Sequence, residues 1–296
     1  MLHEAELALF ETRAHGEGHR ATFSRELEVE ARRRVALTRD LRHALDENQF
    51  ELHYQPKVDL RSATMVGAEA LLRWRQPERG LQPPGAFIPI AERSQLMGPI
   101  GDWALFEACR QLRAWRDAGL VVPRVAVNVS VVQFRLSHFI DHVRAALDRH
   151  GVDAQALTLE ITESVFEEES TMLRRELRAL HDLGVRLSLD DFGTGYSSLL
   201  YLQQYPFDEI KIDQGFVQNV LNDRYSREIV TTVLGIVGAL GADAAADGIE
   251  TAAVRDELLA MGCWFGQGYF YSMPLAADDF LALMANGTPL PPSSER

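Results

Sequence analysis

Acidic and amide residues recur at the far ends of short apolar stretches along this chain, and that placement restricts its possible folds more than any other feature. From about residue 124 one pattern repeats: an amphipathic helix, a glycine, a short apolar strand, then polar residues where the strand ends. Helix 105–118 carries Leu105, Ala108, Cys109 and Leu112 at i, i+3, i+4 and i+7 and stops at Gly119, ahead of strand Val125–Val129. Helix 171–183 presents Leu173, Leu177 and Leu180, stops at Gly184, and precedes Arg186–Asp191. Helices 227–240 and 253–261 end at Gly241 and Gly262, before 242–247 and 264–270. With Leu157–Thr162 and Glu209–Asp213 this gives six strands at a pitch of about 20 to 36 residues, the spacing of parallel βαβ units.

Two further strands, Phe50–Gln55 and Met65–Leu72, are joined by too few residues for a helical crossover, so they form an antiparallel hairpin. Eight strands with helices between most of them predict an α/β fold, a closed TIM-like (β/α)8 barrel modified by an antiparallel first strand. An open doubly wound sheet is the alternative, although no G-x-G-x-x-G follows a strand. The expected organisation is a helical lead-in over 1–34, a barrel over 35–285 and a disordered tail over 286–296, where three prolines and two serines fall together. The lead-in is rich in Arg and Glu and reads as a solvated helix, with a partner-binding face as the competing reading.

Charge and cysteine content narrow the function classes. The net charge of −13 and pI near 5.2 argue against a grip on a nucleic-acid polymer, which needs a basic surface. Cys109 and Cys263 make no disulfide framework or clustered zinc site and read as reduced core thiols. The longest apolar run, Ile229–Leu240, falls short of the roughly 20 residues that span a bilayer, and the opening residues lack the basic and apolar regions of a signal peptide. The expectation is a cytoplasmic segment without membrane contact.

Glu69, Asn128, Glu160, Asp190 with Asp191, Lys211, Asp247 and Gln267 each lie at or near the end of a different strand. In a barrel those ends converge on the face that holds active sites. Gathered carboxylates are costly without cations, and an all-oxygen set lacking thiols and histidines selects hard divalent ions such as Mg²⁺ or Mn²⁺. Each residue also has an ordinary reading. A lone acid can cap a helix, Asp191 can open a turn, Glu163 can be a first-turn acid, and Lys211 can be a structural counter-ion. Asn128 in an apolar strand needs partners whichever reading holds.

The motifs Tyr54-Gln55-Pro56, Glu69-Ala70-Leu71-Leu72-Arg73-Trp74, Phe87-Ile88-Pro89-Ile90-Ala91-Glu92, Asn128-Val129-Ser130, Glu160-Ile161-Thr162-Glu163, Asp190 through Leu199, Lys211-Ile212-Asp213 and Gln267-Gly268-Tyr269 resemble, in order, those of the EAL-domain cyclic di-GMP phosphodiesterases. The resemblance implies a modified β/α barrel that hydrolyses cyclic di-GMP to linear pGpG with two metal ions. It implies that Glu69, Asn128, Glu160 and Asp190 hold one metal, and that Asp190, Asp191 and Asp247 serve the second. Lys211 would position the water, Arg73 would clamp a phosphate, and Gln55 and Gln267 would line the nucleotide or water site. Glu163 would anchor the loop Phe192–Leu199 beside the surface of a homodimer. Residues 5–23 are similar to the end of a GGDEF domain, which suggests a piece of a longer signalling protein, one that could be membrane-anchored elsewhere. The family pattern Ala-Glu-Gly-Val-Glu is here Ala246-Asp247-Gly248-Ile249-Glu250, so one carboxylate is shorter by about 1.5 Å. A weakly active or silent EAL domain that serves as a cyclic di-GMP receptor is the competing function, and a barrel hydrolase for another phosphodiester is a third.

Overall fold

The computed structural model describes residues 25–120, 122–135, 138–164, 171–193, 202, 204–285 and 290. Residues 5–23, with their likeness to a GGDEF domain, lie outside the described residues, as does most of the expected tail. The chain divides into two units, one made of the residues up to Phe50 with Trp74–Met97, the other of Glu51–Arg73 with Gly98 onward.

The larger unit is a barrel. Its strands are β1 (Phe50–Asp59) from Glu51 on, β2 (Thr64–Gln76) as far as Arg73, β3 (Val125–Val129), β4 (Leu157–Thr162), β5 (Arg186–Phe192), β6 (Glu209–Ile212), β7 (Asp243–Ala246) and β8 (Phe265–Gly266). From β2 to β8 every neighbour is parallel, and β1 closes the ring between β8 and β2, antiparallel to both. Closure, with Val58 opposite Gly266 and Asp59 opposite Phe265, excludes the open-sheet alternative. A short strand, Leu275–Ala276, pairs antiparallel with His53 and Tyr54 of β1. The eighth strand is shorter than expected, because only Phe265 and Gly266 keep ladder pairing before the chain turns at Gly268.

Period-two alternation explains how strands can carry both core and site. In β4, Leu157, Leu159 and Ile161 are fully buried on the face toward the helices, while Thr158 and Glu160 take the opposite face, into the barrel. Each such Leu or Ile stabilises the fold by about 1.5–3 kcal/mol. The helix Thr171–Asp182 lays Leu173, Leu177 and Leu180 onto this layer at i, i+4 and i+7. Asp223 starts the helix Arg224–Leu240 by accepting from the backbone N–H groups of Tyr225 and Ser226, and Gly241, at φ 71°, ends it in the left-handed conformation expected of a C-terminal glycine. Tyr54, Trp115 and Phe280 pack together at centroid separations of 4.7 to 5.8 Å.

The smaller unit holds the helix Arg25–Asp46, a hairpin pairing Trp74–Gln76 with Gly80–Gln82, and the short helix Ile88–Arg93. Its centre is an aromatic cluster of Phe50, Trp74 and Phe87, and the Trp74 indole N–H donates to Gln49 at 3.2 Å. The helical period of the N-terminal segment anticipated the helix of this unit, but not its hairpin or aromatic cluster. Among the described residues no helix is long and apolar enough to cross a membrane. Leu290, in the expected tail, is buried, and its backbone N–H donates to the Ala63 carbonyl.

Candidate active site

Glu160 and Asp190 leave β4 and β5 near their C-terminal ends, Glu69 leaves the middle of the long β2, and one oxygen from each lies within 4.8 Å of the others. Lys211, from β6, is 1% exposed and sits among them. Its ammonium donates to Glu160 at 2.9 Å, Glu69 at 3.1 Å and Asp190 at 3.2 Å, with Asp247 farther off at 3.8 Å. The group is therefore built from four strands, β2, β4, β5 and β6, whose inward side chains meet inside the barrel.

Hydrogen bonding differentiates the acids. Glu69 accepts from Lys211, from the Asn128 amide at 2.7 Å and from the Gln267 amide at 2.5 Å. Burial alone would raise its carboxyl, but the Lys211 charge and these donors hold it down at about 2. Glu160 is as deeply buried, and burial with the charges of Glu69 and Asp190 drives its carboxyl well above the ordinary range, against Lys211. Lys211 stays well above the usual lysine value despite burial, because Asp190, Glu160, Glu69 and Asp247 surround it. The arrangement concentrates negative charge that a single ammonium does not neutralise.

The other expected residues take varied places around this centre. Asn128 is exposed at the barrel mouth and meets its need for a partner through Glu69. The β5–β6 register shifts between Leu189 and Phe192, and within this irregularity Asp191 adopts φ 56° and gives its N–H to Asp190 Oδ1. Burial and then the charges of Asp190 and Asp213 push the Asp191 carboxyl up to about 6. Asp247 turns one oxygen back to the Gly248 N–H at 2.6 Å, and burial raises its carboxyl while Lys211 opposes. Gln55 donates to the Ser272 carbonyl at 3.0 Å. Arg73 is half-buried, donates to the Leu72 carbonyl and lies within electrostatic reach of Tyr269 and Glu69. Glu163 Oε2 accepts from the Gly193 N–H at 3.1 Å, at the start of a loop whose residues 194–201 lie outside the described residues.

Sequence reasoning missed a second polar set beneath the first. Lys57 of β1 pairs with Glu209 of β6, and the Ser188 hydroxyl donates to Glu209 at 3.0 Å. Glu209 and Ser188 each stand two residues before a member of the upper cluster, so strand alternation was the signal that could have found them.

The chain has relatives among known proteins. Residues 38–274 match the EAL domain family. The chain is 40% identical over 281 residues to the bifunctional diguanylate cyclase/cyclic di-GMP phosphodiesterase MucR of Pseudomonas aeruginosa, covering 95% of this chain and 41% of that protein. It is 37% identical over 268 residues to the oxygen sensor protein DosP of Escherichia coli, covering 90% of this chain and 34% of DosP. The chain thus spans well under half the length of these curated relatives. Among solved structures, the PaMucR phosphodiesterase in complex with c-di-GMP superposes with a TM-score of 0.80 at 43% identity, covering 83% of this chain and 99% of that one. On the family match across most of its length and on these likenesses, the chain belongs to the EAL domain family.

Proposed function

We propose that this domain is a metal-dependent phosphodiesterase that hydrolyses cyclic di-GMP to linear pGpG. The observation that carries the reading is the convergence of Glu69, Glu160 and Asp190 on one point inside the barrel mouth, with Lys211 among them. Three buried carboxylates form an all-oxygen donor set that fits a hard divalent ion, Mg²⁺ or Mn²⁺. Asn128 would complete this set, and Asp191 and Asp247 would join Asp190 in holding a second ion. Such ions, when bound, supply an activated water and offset charge on the phosphoryl oxygens.

The chain's own residues would supply the rest. Lys211 would orient the attacking water by donating to it from a buried position, and the surrounding acids keep it charged for that task. Arg73 would hold a non-bridging phosphate oxygen, with Gln267 and Gln55 at the edges of the nucleotide site. The named activities of MucR and of cyclic di-GMP phosphodiesterase NbdA of Pseudomonas aeruginosa, 38% identical over 284 residues, support the substrate assignment. A receptor without turnover is less well supported, because every expected metal-ligand position keeps an oxygen donor, Asp247 included.

Purified protein should release pGpG with Mg²⁺ or Mn²⁺ and stop in Ca²⁺, which prefers longer bonds and more ligands. Turnover that persists in excess chelator contradicts the metal requirement. We also infer a homodimer that couples to the loop tethered by Glu163 and Gly193; a fully active monomer in sedimentation at tens of micromolar rules that coupling out. The partial coverage of a bifunctional diguanylate cyclase supports a preceding GGDEF domain ending within residues 1–34, ahead of an EAL domain over 35–285.

A further inference from the structure

The inward positions two residues ahead of Glu69, Asn128, Glu160 and Asp190 are Gly67, Ala126, Thr158 and Ser188. Two residues of strand are about 6.6 Å, so these side chains form the layer directly beneath the acidic one. A cavity of about 230 Å³ lies against Gly67, Ala126 and Thr158 of this layer and is lined also by the charged side chains Lys57, Arg124, Arg186, Glu209 and Asp243. Lys57 enters it from the antiparallel β1 and meets Glu209, two residues ahead of Lys211; the two side chains are 13% and 9% exposed.

Packing does not account for this pair. Apolar residues of similar volume in place of a buried ion pair are often as stable or more so, since two buried charges give up much of their attraction to desolvation. Its placement gives a different account. A bare ammonium one layer below the cluster would repel any divalent ion there, and low internal polarity and poor salt screening would make that repulsion large. Lys57 meets Glu209 two residues, about 6.6 Å of strand, ahead of Lys211, so its charge lies one layer below the acidic cluster. Burial alone would raise the Glu209 carboxyl, but Lys57 and the hydrogen bonds from Lys57 and Ser188 keep it below the ordinary range, so it stands ionised against Lys57.

We propose that Lys57 and Glu209 act as one unit that sets the divalent-cation affinity of the Glu69–Glu160–Asp190 cluster, with Glu209 masking the Lys57 charge from below. Neither is a catalytic residue, and the inference rests on the metal-site reading above. The test is Mn²⁺ titration by calorimetry, without substrate, on four proteins whose folding is followed by thermal melting. Wild type should bind Mn²⁺. Glu209→Gln, which keeps a partner for Ser188 but exposes the Lys57 charge, should bind at least tenfold more weakly. The double variant Lys57→Met with Glu209→Gln should return to within about threefold of wild type. Lys57→Met alone, the arm that decides the matter where Glu209→Gln does not fold, should bind as tightly as wild type or more tightly. Unchanged affinity in Glu209→Gln, a double variant as weak as Glu209→Gln, or weakened binding in Lys57→Met overturns the proposal while leaving the metal site intact. A wild-type protein that binds no Mn²⁺ overturns the metal-site reading and this inference with it.

Discussion

The Lys211 ammonium lies 2.9 Å from Glu160 Oε2, and each side chain is 1% exposed. Water therefore reaches neither group, and each depends on the other and on Glu69 and Asp190 for its polar contacts. The pair joins β6 to β4 across the barrel interior, which makes Lys211 the element around which the acids are arranged. It also separates two functions that substitution can dissect.

Lys211→Ala and Glu69→Ala are expected to fail differently. The first removes a donor to the attacking water and should lower turnover by about 10²–10⁴-fold, the range for a positioned proton-handling group, while Mn²⁺ and cyclic di-GMP still bind. The second removes a metal donor and should lose Mn²⁺ binding and turnover together. Calorimetry on both variants beside product assays checks this, and equal loss of binding in the two contradicts the division of roles.

Asp247 is the cluster member farthest from Lys211, at 3.8 Å against 2.9 to 3.2 Å for the others, and one of its oxygens is engaged with the Gly248 N–H. A side chain one methylene longer reaches further toward the centre. Asp247→Glu should lower the Mn²⁺ concentration needed for half-maximal rate, with a gain of up to tenfold in turnover, about 1.4 kcal/mol. Rate curves identical to wild type, or a slower glutamate variant, would mean that the shorter side chain is already accommodated.

Gly268 fixes the chain beside Gln267. A Cβ there would stand 2.2 Å from the Ile249 carbonyl oxygen and 2.3 Å from its nitrogen, and the backbone has φ 154°. Ile249 also donates to the Gln267 carbonyl at 3.0 Å. Gly268→Ala must push the 247–249 turn away from the strand that delivers Gln267 to Glu69. The expected cost is about 1–3 kcal/mol of stability, read by denaturant unfolding, together with a fall in turnover. An unchanged midpoint and rate would show that the close approach is unnecessary.

Burial pushes the thiols of Cys109 and Cys263 up to about 12, so at pH 8 both remain protonated. The thiolate is the reactive form, and its population rises only as pH approaches that value. Neither cysteine should react with a thiol reagent in the native protein within minutes, and both should react once the chain is unfolded. Rapid labelling of the folded protein at pH 8 contradicts their place in the core.

The upper layer of the site was legible because acids closing apolar strands are conspicuous in sequence. Glu69, Glu160, Asp190 and Lys211 stood out one strand at a time, and barrel closure brings them together. Lys57 and Glu209 were not legible as partners: each looks like an ordinary charge in a strand, and only the antiparallel path of β1 sets one against the other. The helices announced themselves through leucine spacing and terminal glycines. The hairpin and aromatic centre of the smaller unit did not, because Phe50, Trp74 and Phe87 are residues without a shared period.

The most direct test of the account is to follow cyclic di-GMP by chromatography in Mn²⁺ with wild type and with Glu69→Ala. Metal-dependent accumulation of linear pGpG by wild type, abolished in the folded Glu69→Ala variant, is the predicted result. Cyclic di-GMP that binds wild type but remains uncleaved in Mg²⁺ and Mn²⁺ would contradict it and make this domain a receptor.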